Sequence, residues 1–389
     1  MDCSICKKQL KKIFSYGKIP LCDNFQRDKK KSINQKKFDM SFMSCETCHH
    51  IELKNKVNPK KIYTNYPYYS ERSPDLEKHF DKYSNFMEQF RKKKKQNYHL
   101  DIGCNDGILI KKTKKKFKTF GIEPGKEQAK LAKKHGKVFN SYMTFNIIKS
   151  SKLDNKFDVI TTNNTIANII NLNDFMKGVS AALKEGGILI VETLNLNLLL
   201  KNNVYEMFNH EHFHYFSKNS LVFLARKYNL NFQKISFFKT KGATMRIVFK
   251  KDSKNIKLHY HSKILKKKNI KEKISLFLKQ LSKIKKNVHK LVLNNKNMIG
   301  GFGSSPGTTI WIYLLGLEKK LKYITDDNKF RHNYYVPGTA IKVLSPKNFY
   351  QLNLSYTLIF AWRFTNLIKQ KHKNKLLNNK LINIIKIIS

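Results

Sequence analysis

The chain has 389 residues, enough for two or three domains with full-sized cores. A formal charge of +50 points first to nucleic acid, yet only seven of the 77 basic residues are Arg. The Lys is mixed with Asn and Ile along the whole length, which reads as a compositional bias rather than a phosphate-binding surface and argues against nucleic acid as the partner. No run of about 18 apolar residues is present, so no membrane span is expected. The start, Met1-Asp2-Cys3-Ser4, lacks the basic-then-apolar pattern of a secretion signal. Six Cys in so long a chain do not make a disulfide scaffold, and a reduced, cytoplasmic setting is expected.

Four of those Cys form two C-x-x-C pairs, Cys3/Cys6 and Cys45/Cys48, separated by 38 residues. Each pair places two thiolates on one tight turn, and together they supply the four sulfurs of a closed, structural zinc site. A redox pair would need a thioredoxin-like pattern that is lacking here. Residues 1–62 are thus expected to form a small zinc-binding domain, with Cys22 and Cys104 as packing residues. An aromatic stretch follows that contains Tyr66, Tyr68, Ser70 and Ser73; it suits either the mouth of a site or interdomain packing. A helix is expected over 75–95.

Residues 63–252 carry an α/β core. A short apolar strand from Tyr98 ends on Asp101 and opens through Gly103 and Gly107 into a helix, and a second strand ends on Glu123. The spacing D-x-G-x-x-x-G differs from the G-x-G-x-x-G of pyrophosphate binders. A carboxylate at each strand tip suits a ligand with an adenosine ribose and a neutral or cationic tail, such as S-adenosylmethionine. Strands are expected near 138–140, 157–162 and 188–191, with a helix over 174–184 stopped by Gly186-Gly187, and another from Ser217 to Tyr228. The strands around 231–238 and 245–249 read as an antiparallel pair. Five parallel strands closed by such a pair make a seven-stranded Rossmann-like α/β sheet. Its ligand belongs at the carboxyl ends of the strands, where Asp101, Glu123, Asn163, Asn164 and Glu192 fall. The run Asn209-His210-Glu211-His212-Phe213-His214 offers general acid–base groups or ordinary packing, with metal coordination by its three His the least expected because no matching ligand pattern lies nearby.

Residues 253–389 begin with a long amphipathic helix over 263–293, with apolar residues every three to four positions. A smaller Rossmann-like α/β domain follows, with a glycine turn at Gly301-Phe302-Gly303. That turn alone leaves open a second nucleotide site or a purely structural layer.

Taken in order, these motifs resemble the sugar C-methyltransferases that act on nucleotide-linked deoxy-keto-sugars. The likeness rests on Gly17-Lys18-Ile19-Pro20-Leu21, on Tyr66-x-Tyr68-x-Ser70-x-x-Ser73 and on Asp101-Ile102-Gly103-Cys104-Asn105-Asp106-Gly107. It continues through Gly121-Ile122-Glu123-Pro124, His210-Glu211-His212 followed by Tyr215-Phe216-Ser217, Met245-Arg246, Gly301-Phe302-Gly303 and Val336-Pro337-Gly338-Thr339. The resemblance implies an S-adenosylmethionine-dependent methyltransferase with structural Zn²⁺, working in surface polysaccharide or specialised sugar biosynthesis as a monomer or homodimer. It implies C-methylation through an enolate, with His212 as base and Glu211 and His210 positioning it or the sugar. Asp101, Gly103, Asn105, Gly107, Glu123, Asn163 and Asn164 would hold the cofactor, and Tyr66, Tyr68, Ser70, Asn168 and Asn209 the substrate. The chain departs from the family at Asn209, where a Tyr is usual, and at Asn168, where a His is usual. Asn can donate to an oxyanion but cannot accept a proton. O- or N-methylation of a sugar or cell-surface precursor therefore stands as an alternative, with an RNA methylase or RNA-binding protein and an inactive scaffold as others.

Overall fold

A computed structural model describes residues 1–63, 74–93, 96–238, 243–253, 268–294, 299–352, 354–372 and 380–387. The chain divides into two compact units. The first comprises residues 1–12, 43–198 and 211–265; the second comprises residues 13–42, 199–210 and 266–389.

The first unit is built on a seven-stranded sheet. In spatial order its strands are Leu230–Phe238, Thr244–Lys251, Leu183–Leu194, Phe157–Asn163, Tyr98–Ile102, Lys118–Ile122 and Lys137–Phe139. The last five run parallel, and the first two add on antiparallel, as the sequence pattern predicts. The strands are apolar on both faces because helices cover both. Val159, Ile190 and Val248 face Phe80, Tyr83 and Met87 of the helix Pro74–Glu88. Their neighbours Ile160, Leu189, Val191 and Ile247 face the opposite way, with Phe175, Val179, Leu221 and Leu224 in the same core. The helix before Leu183–Leu194 ends at Ala182, and the strand starts at once. Gly186-Gly187 therefore lies in an irregularity of that strand, where the pairing register shifts between Phe157 and Val159, rather than stopping a helix. A helix at Phe145–Ser150, capped by the Thr144 side chain, was not anticipated.

Within the first unit the zinc-binding segment's strand Ile51–Leu53 pairs antiparallel with His214–Tyr215 from far along the chain. In the second unit a five-stranded, all-parallel sheet has the order Lys342–Leu344, Tyr323–Thr325, Ile299–Phe302, Tyr356–Ile359, Lys380–Asn383. The amphipathic helix is observed as Lys268–Asn294. Among the described residues no helix is long and apolar enough to cross a membrane.

Candidate cofactor and metal sites

Each C-x-x-C pair closes through the same device. The Lys7 N–H donates to the Cys3 carbonyl at 3.0 Å and the His49 N–H to the Cys45 carbonyl at 3.0 Å. Both turning residues take positive φ, 64° at Lys7 and 55° at His49. The four sulfurs all lie within 4.8 Å of one another. Cys3 and Cys48 are 3.5 Å apart and Cys6 and Cys45 3.4 Å, close to the roughly 3.8 Å edge of a tetrahedral zinc–thiolate centre with bonds of about 2.3 Å. The donor set fits structural zinc and leaves no position for substrate. Cys22 and Cys104 are buried elsewhere.

At the switch point of the seven-stranded sheet, between Tyr98–Ile102 and Phe157–Asn163, lies a cavity of about 420 Å³. Asp101, Gly103, Asn105, Glu123, Asn163, Asn164 and Asn168 all line it. Gly103 has φ of +71°, and a Cβ there would stand 2.2 Å from Thr165 Oγ1, so only glycine lets the two loops approach. Asn105 also has positive φ, 51°, and its N–H donates to Glu123 Oε2 at 2.9 Å; Glu123 Oε1 accepts from the Gly125 N–H at 2.8 Å. Two backbone donors thus fix the carboxylate facing the cavity. Asp101 is buried; its Oδ1 accepts from Thr161 Oγ1 at 2.6 Å and from Asn163 Nδ2 at 3.3 Å. Burial pushes its pKa up to about 7, with the Glu123 charge adding to the rise and the two hydrogen bonds opposing it. A carboxyl so placed favours a cationic group beside it.

Some sequence expectations fall elsewhere. Gly107, with φ of +86°, is not among the lining residues; a Cβ there would meet Ala132 Cα at 2.8 Å, so it serves helix packing. Glu192 turns away, hydrogen-bonded to His79 Nε2 at 2.7 Å and ion-paired with Arg246 Nη2 at 2.8 Å. Tyr66, Tyr68, Ser70 and Ser73 lie outside the described residues. Conversely, Leu76, Phe80, Tyr142, Met143, Ile169 and Ile170 supply apolar walls that the sequence did not single out. Only the helical spacing of Leu76 and Phe80 hinted at them.

The rim segment 166–171 is held from behind. The Phe213 N–H donates to the Ala167 carbonyl at 2.7 Å and His214 Nε2–H to the Ile169 carbonyl at 2.8 Å. With its proton on Nε2, His214 accepts at Nδ1 from His50 Nε2–H, 2.9 Å away. Burial drives the pKa of His214 well down and that of His50 down to about 4, so both rings are neutral at neutral pH. His212, half-buried, directly precedes this pair of contacts, while Asn168, with a buried Oδ1 that has no hydrogen-bond partner among the described residues, lines the cavity. Glu211 is also half-buried. Asn209 and His210 belong to the second unit. Asn209 Nδ2 donates to the Glu206 carbonyl at 3.1 Å. The His210 ring lies 5.9 Å from that of Phe38, its pKa pushed down to about 4 by burial.

Three family profiles match successive parts of the chain. Residues 3–63 match a zinc binding domain, residues 76–235 a methyltransferase domain and residues 239–385 a C-methyltransferase C-terminal domain. The C-methyltransferase NovU of Streptomyces niveus is 21% identical over 394 residues, covering 97% of this chain and 93% of that one. A ubiquinone biosynthesis O-methyltransferase of Pelagibacter ubique is 27% identical over 151 residues, 35% of this chain and 62% of that one. Among solved structures, an S-adenosylmethionine-dependent methyltransferase of Archaeoglobus fulgidus aligns with TM-score 0.39 at 14% identity, over 45% of this chain and 93% of that one.

Proposed function

We propose, for a chain that belongs to the three-part C-methyltransferase family and depends on S-adenosylmethionine, that it methylates carbon next to the ketone of a nucleotide-linked deoxy-sugar. The match to a C-methyltransferase along nearly the whole chain supports carbon as the acceptor. The observation that carries the site assignment is the pair of hydrogen bonds from Phe213 and His214 to Ala167 and Ile169, which flank the cavity-lining Asn168. They tie the residues following His212 to the rim of the cofactor cavity.

When bound, S-adenosylmethionine supplies an electrophilic methyl group on a cationic sulfur; Asp101, Gly103, Asn105, Glu123, Asn163 and Asn164 would hold it. In this reading His212 takes the proton from the carbon beside the ketone, and the electron pair moves into the carbonyl as an enolate. The Asn168 side chain, reoriented to present its N–H, donates to the enolate oxygen, which it can do without accepting a proton. Glu211 orients His212, and the apolar wall excludes water. Base placement of this kind is worth roughly 10²–10⁴-fold. Tyr66, Tyr68 and Ser70 are assigned to acceptor binding on the resemblance alone, and the domains are taken as 1–62, 63–252 and 253–389. A second reading, O- or N-methylation of a sugar, is favoured by Asn168 and Asn209 where the family has His and Tyr.

The test is transfer from methyl-labelled S-adenosylmethionine to a panel of keto and non-keto nucleotide sugars. Label on carbon of a keto-sugar, abolished by His212→Asn, is expected. Label on oxygen or nitrogen overturns the carbon assignment, and cofactor binding without transfer overturns the enzymatic reading.

A further inference from the structure

The second unit has its own switch point, between Ile299–Phe302 and Tyr356–Ile359, since strand order reverses there. In open parallel sheets this is where ligands bind, beside the glycine turn and the N-terminus of the following helix. In this chain a side chain already stands there. A Cβ on Gly307, in the first turn of the helix Pro306–Leu314, would lie 2.9 Å from Glu206 Cγ. Glu206 Oε1 accepts from Trp362 Nε1–H at 3.0 Å and lies 3.5 Å from Arg363 Nη1, both in the loop after Tyr356–Ile359. The glycine turn's own donor is also engaged, because the Ser304 N–H donates to Asp326 Oδ2 at 2.5 Å.

We propose that Glu206 is an internal ligand, occupying the anion position of the second α/β unit and making that unit a clamp for the segment 205–210 instead of a second nucleotide site. The segment is fixed from its other side as well. The Tyr205 ring lies 4.2 Å from Phe277 and 5.3 Å from Trp311, and Phe208 packs 5.4 Å from Phe42 and 5.4 Å from Phe277. Burial pushes the Glu206 pKa up, and Arg363, Trp362 and Trp311 oppose the rise by favouring the carboxylate. Because Glu211 and His212 follow directly in the chain, Glu206 acts as a positioning residue; only this last clause rests on the function proposed above.

Of the chain's two tryptophans, Trp362 donates to this carboxylate and Trp311 packs on the neighbouring Tyr205, so their emission reports on it without any methyl acceptor. Glu206→Ala should shift the emission and lower the melting temperature, and added acetate should reverse both where chloride at equal ionic strength does not. Equal responses to acetate and chloride overturn the proposal. Should Glu206→Ala fail to fold, the isosteric Glu206→Gln is compared with Arg363→Gln and the double variant. The expected result is a double variant no less stable than the worse single one, while additive losses overturn the pairing. Titration of the wild-type chain with uridine or thymidine diphosphate should leave the emission unchanged. A quench that Ser304→Trp abolishes would show a nucleotide in the turn and refute the internal-ligand assignment.

Discussion

The two α/β units solve the same geometric problem and end in opposite states. In each, a strand opens through a glycine of positive φ, Gly103 at +71° and Gly303 at +109°. In each, a Cβ on that glycine would strike the loop across the switch point, Thr165 in the first unit and Ala361 in the second. In each, an acidic residue just past the neighbouring strand accepts from a turn amide: Glu123 from Asn105, Asp326 from Ser304. The first unit leaves the space beyond as a cavity of about 420 Å³, walled by Phe80 and Ile169. The second fills it with Glu206. The turn therefore specifies a place where backbone comes close to something, and the surrounding chain decides whether that something is a ligand or a side chain.

The comparison breaks most sharply at Gly103. Gly103→Val adds both left-handed strain and a clash with Thr165, so S-adenosylmethionine affinity should fall by about 100-fold or more in calorimetry. The matching Gly303→Val, in a unit read as having no ligand, should lower stability yet leave that affinity within about twofold.

Chelation gives the next largest effect. Stripping zinc from Cys3, Cys6, Cys45 and Cys48 should unfold the segment around them, because thiolate–zinc bonds supply most of the stability of such small elements. Within the first unit Asn173 Nδ2 donates to the Ser4 carbonyl and Lys227 Nζ to that of Ile5. The melting transition should therefore drop, an effect readable by circular dichroism and reversed by added zinc.

Asp101 predicts a pH dependence whose sign can be worked out. Its folded pKa, about 7, lies above its ordinary value of 3.8, so the folded chain binds the proton more tightly than the unfolded one. Ionising Asp101 thus costs stability above about pH 7, and that cost fades as pH falls toward about 4. A cationic cofactor reverses the preference by favouring the carboxylate, so its affinity should rise several-fold from about pH 6 to about pH 8. Asp101→Asn should flatten that slope.

The smallest effect is expected at the rim. His214→Phe removes the donor to the Ile169 carbonyl and the acceptor for His50. A lost buried hydrogen bond of about 1 kcal/mol should weaken cofactor binding by roughly fivefold. Zinc content should not change, and His214→Gln should recover part of the loss.

Much of this molecule is local in origin. The zinc ligands, the strand-turn-helix at Asp101–Gly107, the carboxylate at Glu123 and the antiparallel closing pair are all set by spacing and periodicity within a few tens of residues, so the chain alone determined them. Tertiary structure decided matters that depend on distant partners. It turned Glu192 from the ligand end of its strand toward His79 and Arg246. It gave Gly107 to Ala132, and it paired the two-residue strand His214–Tyr215 with Ile51 and Glu52. It also placed Glu206 against the first turn of a helix just over one hundred residues further along the chain, at Gly307. A carboxylate's role depends on which donors surround it after folding, and sequence periodicity carries no information about those donors when they come from another part of the chain.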